Sequence, residues 1–531
     1  MKSPCDEAVL KSALAIAPCR AEAGSWVLVA AVVGSSMAFI DGTLVNVALP
    51  ALQTNLGATV VDVQWVVESY GLFLGALILV GGSTGDLFGR RRMFLAGVTV
   101  FAIASACCGL AVTIRQLVIA RATQGVGAAF MVPGSLSIIS ASFDEKDRGR
   151  AIGTWSGFTA ITTALGPVLG GWLIQHASWR WAFFINLPLA AAVVAVSLRY
   201  VPESRSASAR RIDWPGTLLA TLGLAGLVTG FIDSARFGWA HPFVLGTLII
   251  GSICLLVFPV VEAKTNSPMV PMSLFKSRAF SGANLLTFFL YSALGIFFFL
   301  FPLNLIQVHG YSATAAGAAA LPLILLMFLL SRWSGGLVSR YGPRLPLIVG
   351  PLLAAAGFFL FAVPSLRGSY WVTFFPAFVV LGIGMAVSVA PLTTVVMSAV
   401  NQDSAGTASG INNAVARIAG LLAIAVLGMA MIGAFSFRLN RSLSHLAVPR
   451  QAADELQSNR IRLAAIEIPT GLDSVTTTAV TTAIYQAFVF GFRLVMLICV
   501  ALSITSAAFA WWMIPGKPNR LQSLEVEAIR S

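Results

Sequence analysis

Three ionisable side chains stand in stretches that are otherwise apolar. They are Asp41 in FIDGTLVNVALP (39–50), Glu68 in the run that begins near Gln64, and Arg121 in LVIARATQGVGAA (117–129). Carboxylates and an arginine in such surroundings can do proton chemistry. Burial disfavours an ionised carboxylate, a nearby guanidinium favours it, and a site that alternates between the two conditions loads and releases a proton. Helical spacing puts Gln64, Trp65, Glu68, Gly71 and Gly75 on one face, and Arg121, Gln124, Gly125 and Ala128 on another. Such polar and small faces suit the lining of a cavity better than contact with lipid. Counted from Pro50, Asp41 lies roughly 13 Å along its helix, and Glu68 and Arg121 lie roughly 6 Å along theirs, so all three are expected in the outer half of the bilayer. Asp41 reads as the principal proton- and cation-responsive site, Glu68 as a secondary one, and Arg121 as their counter-charge.

The elements that position these groups follow from composition. The 531 residues are 57% hydrophobic and 10% charged, with a mean hydropathy of +0.86. A soluble domain carries roughly 25% charged residues, so this chain is a polytopic membrane protein. Runs long enough to span fall at 25–49, 64–85, 94–114, 117–140, 149–174, 181–201, 215–234, 243–262, 279–302, 314–338, 345–364, 371–395, 406–434 and 488–513, which makes fourteen helices. Lysines and arginines gather in alternate gaps, at Arg90–Arg92, Lys146 to Arg150, Arg199 to Arg211, Lys264 to Arg278 and Arg332 to Arg344. By the positive-inside rule those gaps and both termini are cytoplasmic. The net charge of +13 is therefore a topology signal, and no nucleic-acid patch forms. The first span is long enough to direct insertion without a cleaved signal. His176, His241, His309 and His445 all fall on the outer side, which disfavours a histidine proton relay. The six cysteines show no metal or disulfide spacing and read as reduced packing residues. HExxH, GxSxG and Walker A patterns are lacking, so an intramembrane enzyme is disfavoured and no cofactor is expected.

A weak internal repeat organises the spans. GVGAA (125–129) is echoed by GIGMA (382–386), RGRAIGTWSG (148–157) by SAGTASGINNA (404–414), and GDLFGRR (85–91) by VSRYGPR (338–344). Parallel repeats of six helices are a transporter architecture. The expected organisation is a tail at 1–24, a six-helix bundle at 25–201, a linker with an inserted helix pair at 202–278, a second bundle at 279–513 and a tail at 514–531. The second bundle includes an external loop at 435–487, with an amphipathic stretch around 451–468. Gly149, Gly153, Gly157, Gly166 and Gly170 form small-residue stripes that let helices approach closely, and Pro167 can bend its helix.

The segment GGSTGDLFGRRR (81–92) has the spacing G-x-x-x-D-x-x-G-R-R at Gly82, Asp86, Gly89, Arg90 and Arg91. It resembles the cytoplasmic loop signature of the major facilitator superfamily, with Leu87 where that signature often has a basic residue. LVIARATQGVGAA resembles the family's fourth-helix motif, and TTALGPVLGGWL (162–173), with Gly166, Pro167, Gly170 and Gly171, resembles its antiporter motif. WRWAFFINLP (179–188) and FIDGTLVNVALP resemble the fourteen-helix drug:proton antiporter branch, of EmrB/QacA type. The resemblance implies a proton-coupled multidrug exporter of a bacterial cytoplasmic membrane, working by alternating access. Asp41, Glu68, Trp65 and Gln124 would meet substrate, as would Asn284, Phe288 and Tyr291 from one face of the ninth span and Arg417 within the thirteenth. A lipophilic compound and protons are the expected partners, with membrane lipid around a monomer and a periplasmic adaptor as a candidate. A carrier of one metabolite and a non-transporting sensor are the alternatives.

Overall fold

The computed structural model describes residues 21–205, 212–363, 368–401, 405–446 and 448–516. Cys5, Cys19, most of both tails, and Arg210 and Arg211 therefore lie outside the described residues. Helix dominates throughout, and no strand occurs among the described residues. Among the described residues fourteen helices are long and apolar enough to cross a membrane. They are α1 Gly24–Leu56, α2 Val60–Phe88, α3 Arg90–Leu110, α4 Ile114–Ser142, α5 Arg150–His176, α6 Trp181–Tyr200 and α7 Trp214–Phe237. The series continues with α8 Pro242–Lys264, α9 Arg278–Val308, α10 Ala313–Ser331, α11 Arg344–Ala362, α12 Phe375–Ser398, α13 Thr407–Leu443 and α14 Ser474–Met513.

Two compact units result. One holds residues 1–269 with 310–318, and the other holds 270–309 with 319–531. The pair α7 and α8 packs within the first unit, where α7 lies along α2.

Local chemistry explains why two site-bearing helices start where they do. Thr59 and Asp62 form a capping box at α2: the Asp62 amide donates to Thr59 Oγ1 and the Thr59 amide to Asp62 Oδ2. Thr113 and Gln116 do the same at α4. Each box satisfies amide donors that the first helical turn leaves free. Glu68 and Arg121 follow about two turns later.

Close backbone crossings then bring these helices together. A Cβ on Gly81 of α2 would stand 1.9 Å from the Ala129 carbonyl oxygen of α4, and one on Gly125 of α4 would stand 2.5 Å from the Tyr70 carbonyl of α2. Gly97 and Gly127 make the matching crossing between α3 and α4. In the second unit Phe297, Phe301, Phe358, Phe361 and Phe378 interlock as a buried ring cluster, each good pair worth about 0.5–1.5 kcal/mol beyond its buried area.

Two boundaries differ from the sequence expectation in ways that matter. Helix α1 continues through Pro50 to Leu56, so Asp41 sits near the middle of its helix instead of in its outer part. The expected loop at 435–487 is also shorter, because α13 runs to Leu443 and α14 begins at Ser474. The threonine-rich start of α14 reads as polar, yet Thr478, Thr481 and Thr482 each donate to a carbonyl four residues back. Those hydroxyls are satisfied inside the helix and do not interrupt it. Within the remaining loop, the amphipathic stretch forms a short helix, Arg450–Ser458, that buries Ala452 and Leu456.

The glycine stripe on α5 also divides. Gly166 and Gly170 lie against Thr43 and Leu44 of α1, whereas nothing stands within 4 Å of a Cβ at Gly153 or Gly157. Spacing by four is common to both halves of the stripe, but only the second half has a helix to meet. Gly157→Ala is therefore expected to change the melting temperature little or to raise it slightly, since alanine is favoured over glycine in a helix by about 0.5–1 kcal/mol.

Candidate functional site

The structure joins Asp41 to Arg121. The guanidinium Nη1 donates to Asp41 Oδ2, and both side chains are almost fully buried. Other donors complete the carboxylate's surroundings: Gln124 Nε2 at 2.8 Å and Asn186 Nδ2 at 3.3 Å, both on Oδ1. The guanidinium is held as firmly. Its Nε donates to the Val66 carbonyl (3.1 Å), Nη1 also donates to Gln124 Oε1 (2.8 Å), and its carbon lies 4.2 Å from the centre of the Tyr70 ring. Ser105 accepts from Asn186 (3.0 Å) and Gln124 (3.3 Å) and donates to the Phe183 carbonyl. A buried ion pair repays its desolvation only with such supporting hydrogen bonds. This network supplies them from α1, α2, α3, α4 and α6.

Glu68 is not part of the network. It is 1% exposed, and neither carboxylate oxygen has a hydrogen-bond partner among the described residues. Trp65, one face-position away, turns toward α7 and its indole N–H reaches Asp233 (3.4 Å). Asp62 meets Arg236 of the same helix at 3.5 Å. Trp65 therefore braces α7 on α2.

Asn186, Ser105 and Tyr70 also belong to the network, and residue type and spacing alone do not single them out. Asn186 lies inside WRWAFFINLP, and an amide among so many apolar residues was the available signal. Ser105 and Tyr70 gave none, because each becomes polar support only once α3 and α2 are packed against α4.

The loop between α2 and α3 carries a second cluster. Asp86 pairs with Arg90 at 2.8 Å. Arg91 donates to the Val201 carbonyl (2.9 Å), its amide donates to Glu203 Oε1 (3.2 Å), and Arg92 approaches the same carboxylate at 3.6 Å. Glu203 is thus the acid that gathers the arginines, a role invisible in the sequence because it lies after α6. Gly89 adopts φ +114°, and a Cβ there would meet Glu203. Glu203→Gln should cost about 1 kcal/mol or less, because the arginines are partly solvated. Melting at low and high salt measures this, and the deficit should shrink as salt rises.

Along α5, a Cβ on Gly171 would stand 2.3 Å from the Ala313 carbonyl, and one on Gly317 would stand 2.0 Å from the Pro167 carbonyl. Gly166 and Gly170 pack on α1, and Gln175 accepts from the Thr314 amide. Residues 310–318 are thereby seated on α5 within the first unit. A Cβ on Gly82 would stand at ordinary contact distance, 3.7 Å, from Pro133 Cβ.

In the second unit, Asn284 is buried. Its Nδ2 donates to the Phe280 carbonyl, and Asn412 Nδ2 donates to Asn284 Oδ1 (3.2 Å) and Thr287 Oγ1 (2.7 Å). Phe288, Tyr291 and Arg417 are half-buried. Gly295, one turn beyond Tyr291 on α9, makes a close crossing with Gly420 of α13. No group of three or more His, Cys, Asp or Glu arranged to hold a metal ion occurs among the described residues.

Fourteen membrane-length helices with a charge pair and a lone acid in their interior define a membrane transporter. The chain belongs to the Major Facilitator Superfamily, whose pattern it matches over residues 31–424. It is 31% identical over 504 residues to the tetracenomycin C resistance and export protein of Streptomyces glaucescens, covering 93% of this chain and 92% of that protein. It is 35% identical over 434 residues to the multidrug resistance protein Stp of Mycobacterium tuberculosis, covering 80% and 78%. Its fold is that of a bacterial homologue of the human lysosomal transporter Spinster, at a TM-score of 0.62, 18% identity and coverage of 94% and 99%. The protein is a multi-pass transporter of the bacterial inner membrane, and its relatives agree with the fourteen-helix drug:proton antiporter branch.

Proposed function

We propose that the protein is a proton-coupled efflux antiporter that exports lipophilic compounds, cationic ones among them, by alternating access. The observation that carries this reading is the contrast between two buried acids in one unit. Asp41 has a guanidinium and two amide donors, and Glu68 has no partner among the described residues. An ionised carboxylate without donors is costly in such a place, and a protonated one is far less so. Glu68 is accordingly assigned the exchangeable proton, and Asp41 with Arg121 a charge-balanced core that responds to it. This exchanges the ranks expected from sequence, where Asp41 came first. Relatives named for antibiotic export and multidrug resistance support the direction and the kind of substrate.

The gradient supplies enough energy. One charge moved across 100 mV is worth ~2.3 kcal/mol, about fifty-fold in concentration. No cofactor is needed on this reading. Both termini lie in the cytoplasm, residues 202–278 act as linker and inserted pair between two bundles, and the loop before α14 faces outward to a solvent layer or a periplasmic adaptor. Asn284, Phe288, Tyr291 and Arg417 are assigned to substrate contact in a monomeric protein, and Gln124 and Trp65 to support. The loop at Gly82, Asp86, Gly89, Arg90 and Arg91 acts in gating, with Glu203 as its acid.

Everted membrane vesicles test the reading. Adding an exported compound to energised vesicles should move protons in step with the compound's uptake. Uptake without proton movement would overturn antiport, and binding without uptake would make the protein a sensor.

A further inference from the structure

The two units repeat one turn and close it differently. In the first, Gly89 (φ +114°) leads into α3, and a Cβ there would stand 2.6 Å from Glu203 Oε1. Two residues on, Arg91 binds the chain that leaves α6, which reads Val201-Pro202-Glu203-Ser204. In the second unit Gly342 (φ +77°) leads into α11, and a Cβ there would stand 2.5 Å from the Gly516 carbonyl. Two residues on comes Arg344, beside the chain that leaves α14, Ile514-Pro515-Gly516. Arg344 holds the place of Arg91, but Gly516 stands where the first unit has its glutamate.

Among the described residues no carboxylate replaces the missing one. Among the described residues neither Arg344 nor Arg278 forms an ion pair, and the buried Arg344 Nε has no hydrogen-bond partner. A cleft of about 410 Å³ opens instead, lined by Arg278, Arg344, Trp511, Trp512, Met513 and Pro515. Arg278 and Arg344 are the first residues of α9 and α11, so two helix N-termini add partial positive charge. The Arg344 guanidinium lies 5.5 Å from the centre of the Trp511 ring, and Trp511 and Trp512 are each 63% exposed. Exposed tryptophans at the end of a spanning helix mark the headgroup layer.

We propose that this cleft binds the headgroup of an anionic phospholipid, whose phosphate takes in the second unit the place that the Glu203 carboxylate holds in the first. Two guanidiniums suit phosphate oxygens as they suit a carboxylate. The tryptophans suit the glycerol and upper acyl chain, which free phosphate lacks. This site is independent of the proton and substrate assignments above.

Native mass spectrometry of the delipidated full-length protein tests the proposal, with added phosphatidylglycerol, phosphatidylcholine or inorganic phosphate. One phosphatidylglycerol should be retained at least about tenfold more tightly than phosphatidylcholine, a difference of about 1.4 kcal/mol. The decisive variant is Gly516→Glu. Gly516 has no positive φ, and a Cβ there stands at ordinary contact from Arg344, 3.8 Å from Cδ and 3.9 Å from Nη1. Its glutamate restores the closure seen in the first unit, so the protein should melt no lower than the parent yet lose the retained lipid. Arg278→Gln with Arg344→Gln should lose it as well, and Arg344→Lys should keep part of it. Equal retention in Gly516→Glu, equal affinity for both lipids, or displacement by equimolar phosphate would each overturn the assignment.

Discussion

Asp41→Asn should destabilise the protein by about 3–5 kcal/mol, the cost of leaving one member of a buried ion pair alone. The Arg121 side chain is 1% exposed and cannot turn to water. After the substitution it keeps the Val66 carbonyl, the Gln124 oxygen and the Tyr70 ring, but no negative charge. An asparagine at 41 also has one acceptor oxygen where the carboxylate has two, so its NH2 must face either Arg121 or the Gln124 and Asn186 donors. Adding Arg121→Gln removes the stranded charge, so the double variant should recover most of the loss. The four proteins form a cycle that isolates the coupling between the two sites. Melting in detergent reads it directly, and a double variant no more stable than Asp41→Asn would show that the pair is not what holds the network. Asp62→Asn is the control, since Arg236 lies 3.5 Å away and is half exposed, and the asparagine oxygen can still accept from the Thr59 amide in the capping box. That change should stay within about 1 kcal/mol.

The second large effect comes from a position without chemistry. Gly81→Ala puts its new carbon 1.9 Å from the Ala129 carbonyl oxygen and 2.7 Å from the carbonyl carbon. Both are backbone atoms, so no side chain can swing away and α2 must separate from α4. Overpacking of side chains costs about 1–3 kcal/mol, and a clash between main chains belongs at or above the top of that range. The same separation pulls the Val66 carbonyl from Arg121. Export should therefore fall together with stability. Melting and transport of Gly81→Ala beside Gly157→Ala provide the comparison. Equal behaviour of the two would mean that the α2–α4 crossing is looser than its geometry states.

Much of this arrangement is legible in the sequence. Apolar runs and the alternation of basic gaps define fourteen helices, and charged residues inside those runs single out Asp41, Glu68 and Arg121. Residue type and helical phase cannot decide which of the three meet, because pairing depends on crossings between helices distant in sequence. Gly81 and Gly125 make those crossings, and neither differs in sequence from Gly157, which makes none. Depth counting fails for Asp41 for a local reason: Pro50 looks like the end of a helix, yet α1 carries it without breaking. Glu203 and Gly516 are legible only after folding, when the ends of α6 and α14 are seen to close the same turn with and without an acid.

On the proposed reading Glu68 carries the exchangeable proton while Asp41 and Arg121 hold fixed charge. Proteoliposomes of the parent and of Glu68→Gln, loaded with a pH-sensitive dye and given one exported compound, test it most directly. Glutamine is isosteric and leaves no buried charge behind, so the variant should fold and still bind the compound. Its compound-driven proton flux should fall to that of empty liposomes. A flux equal to the parent's would contradict it.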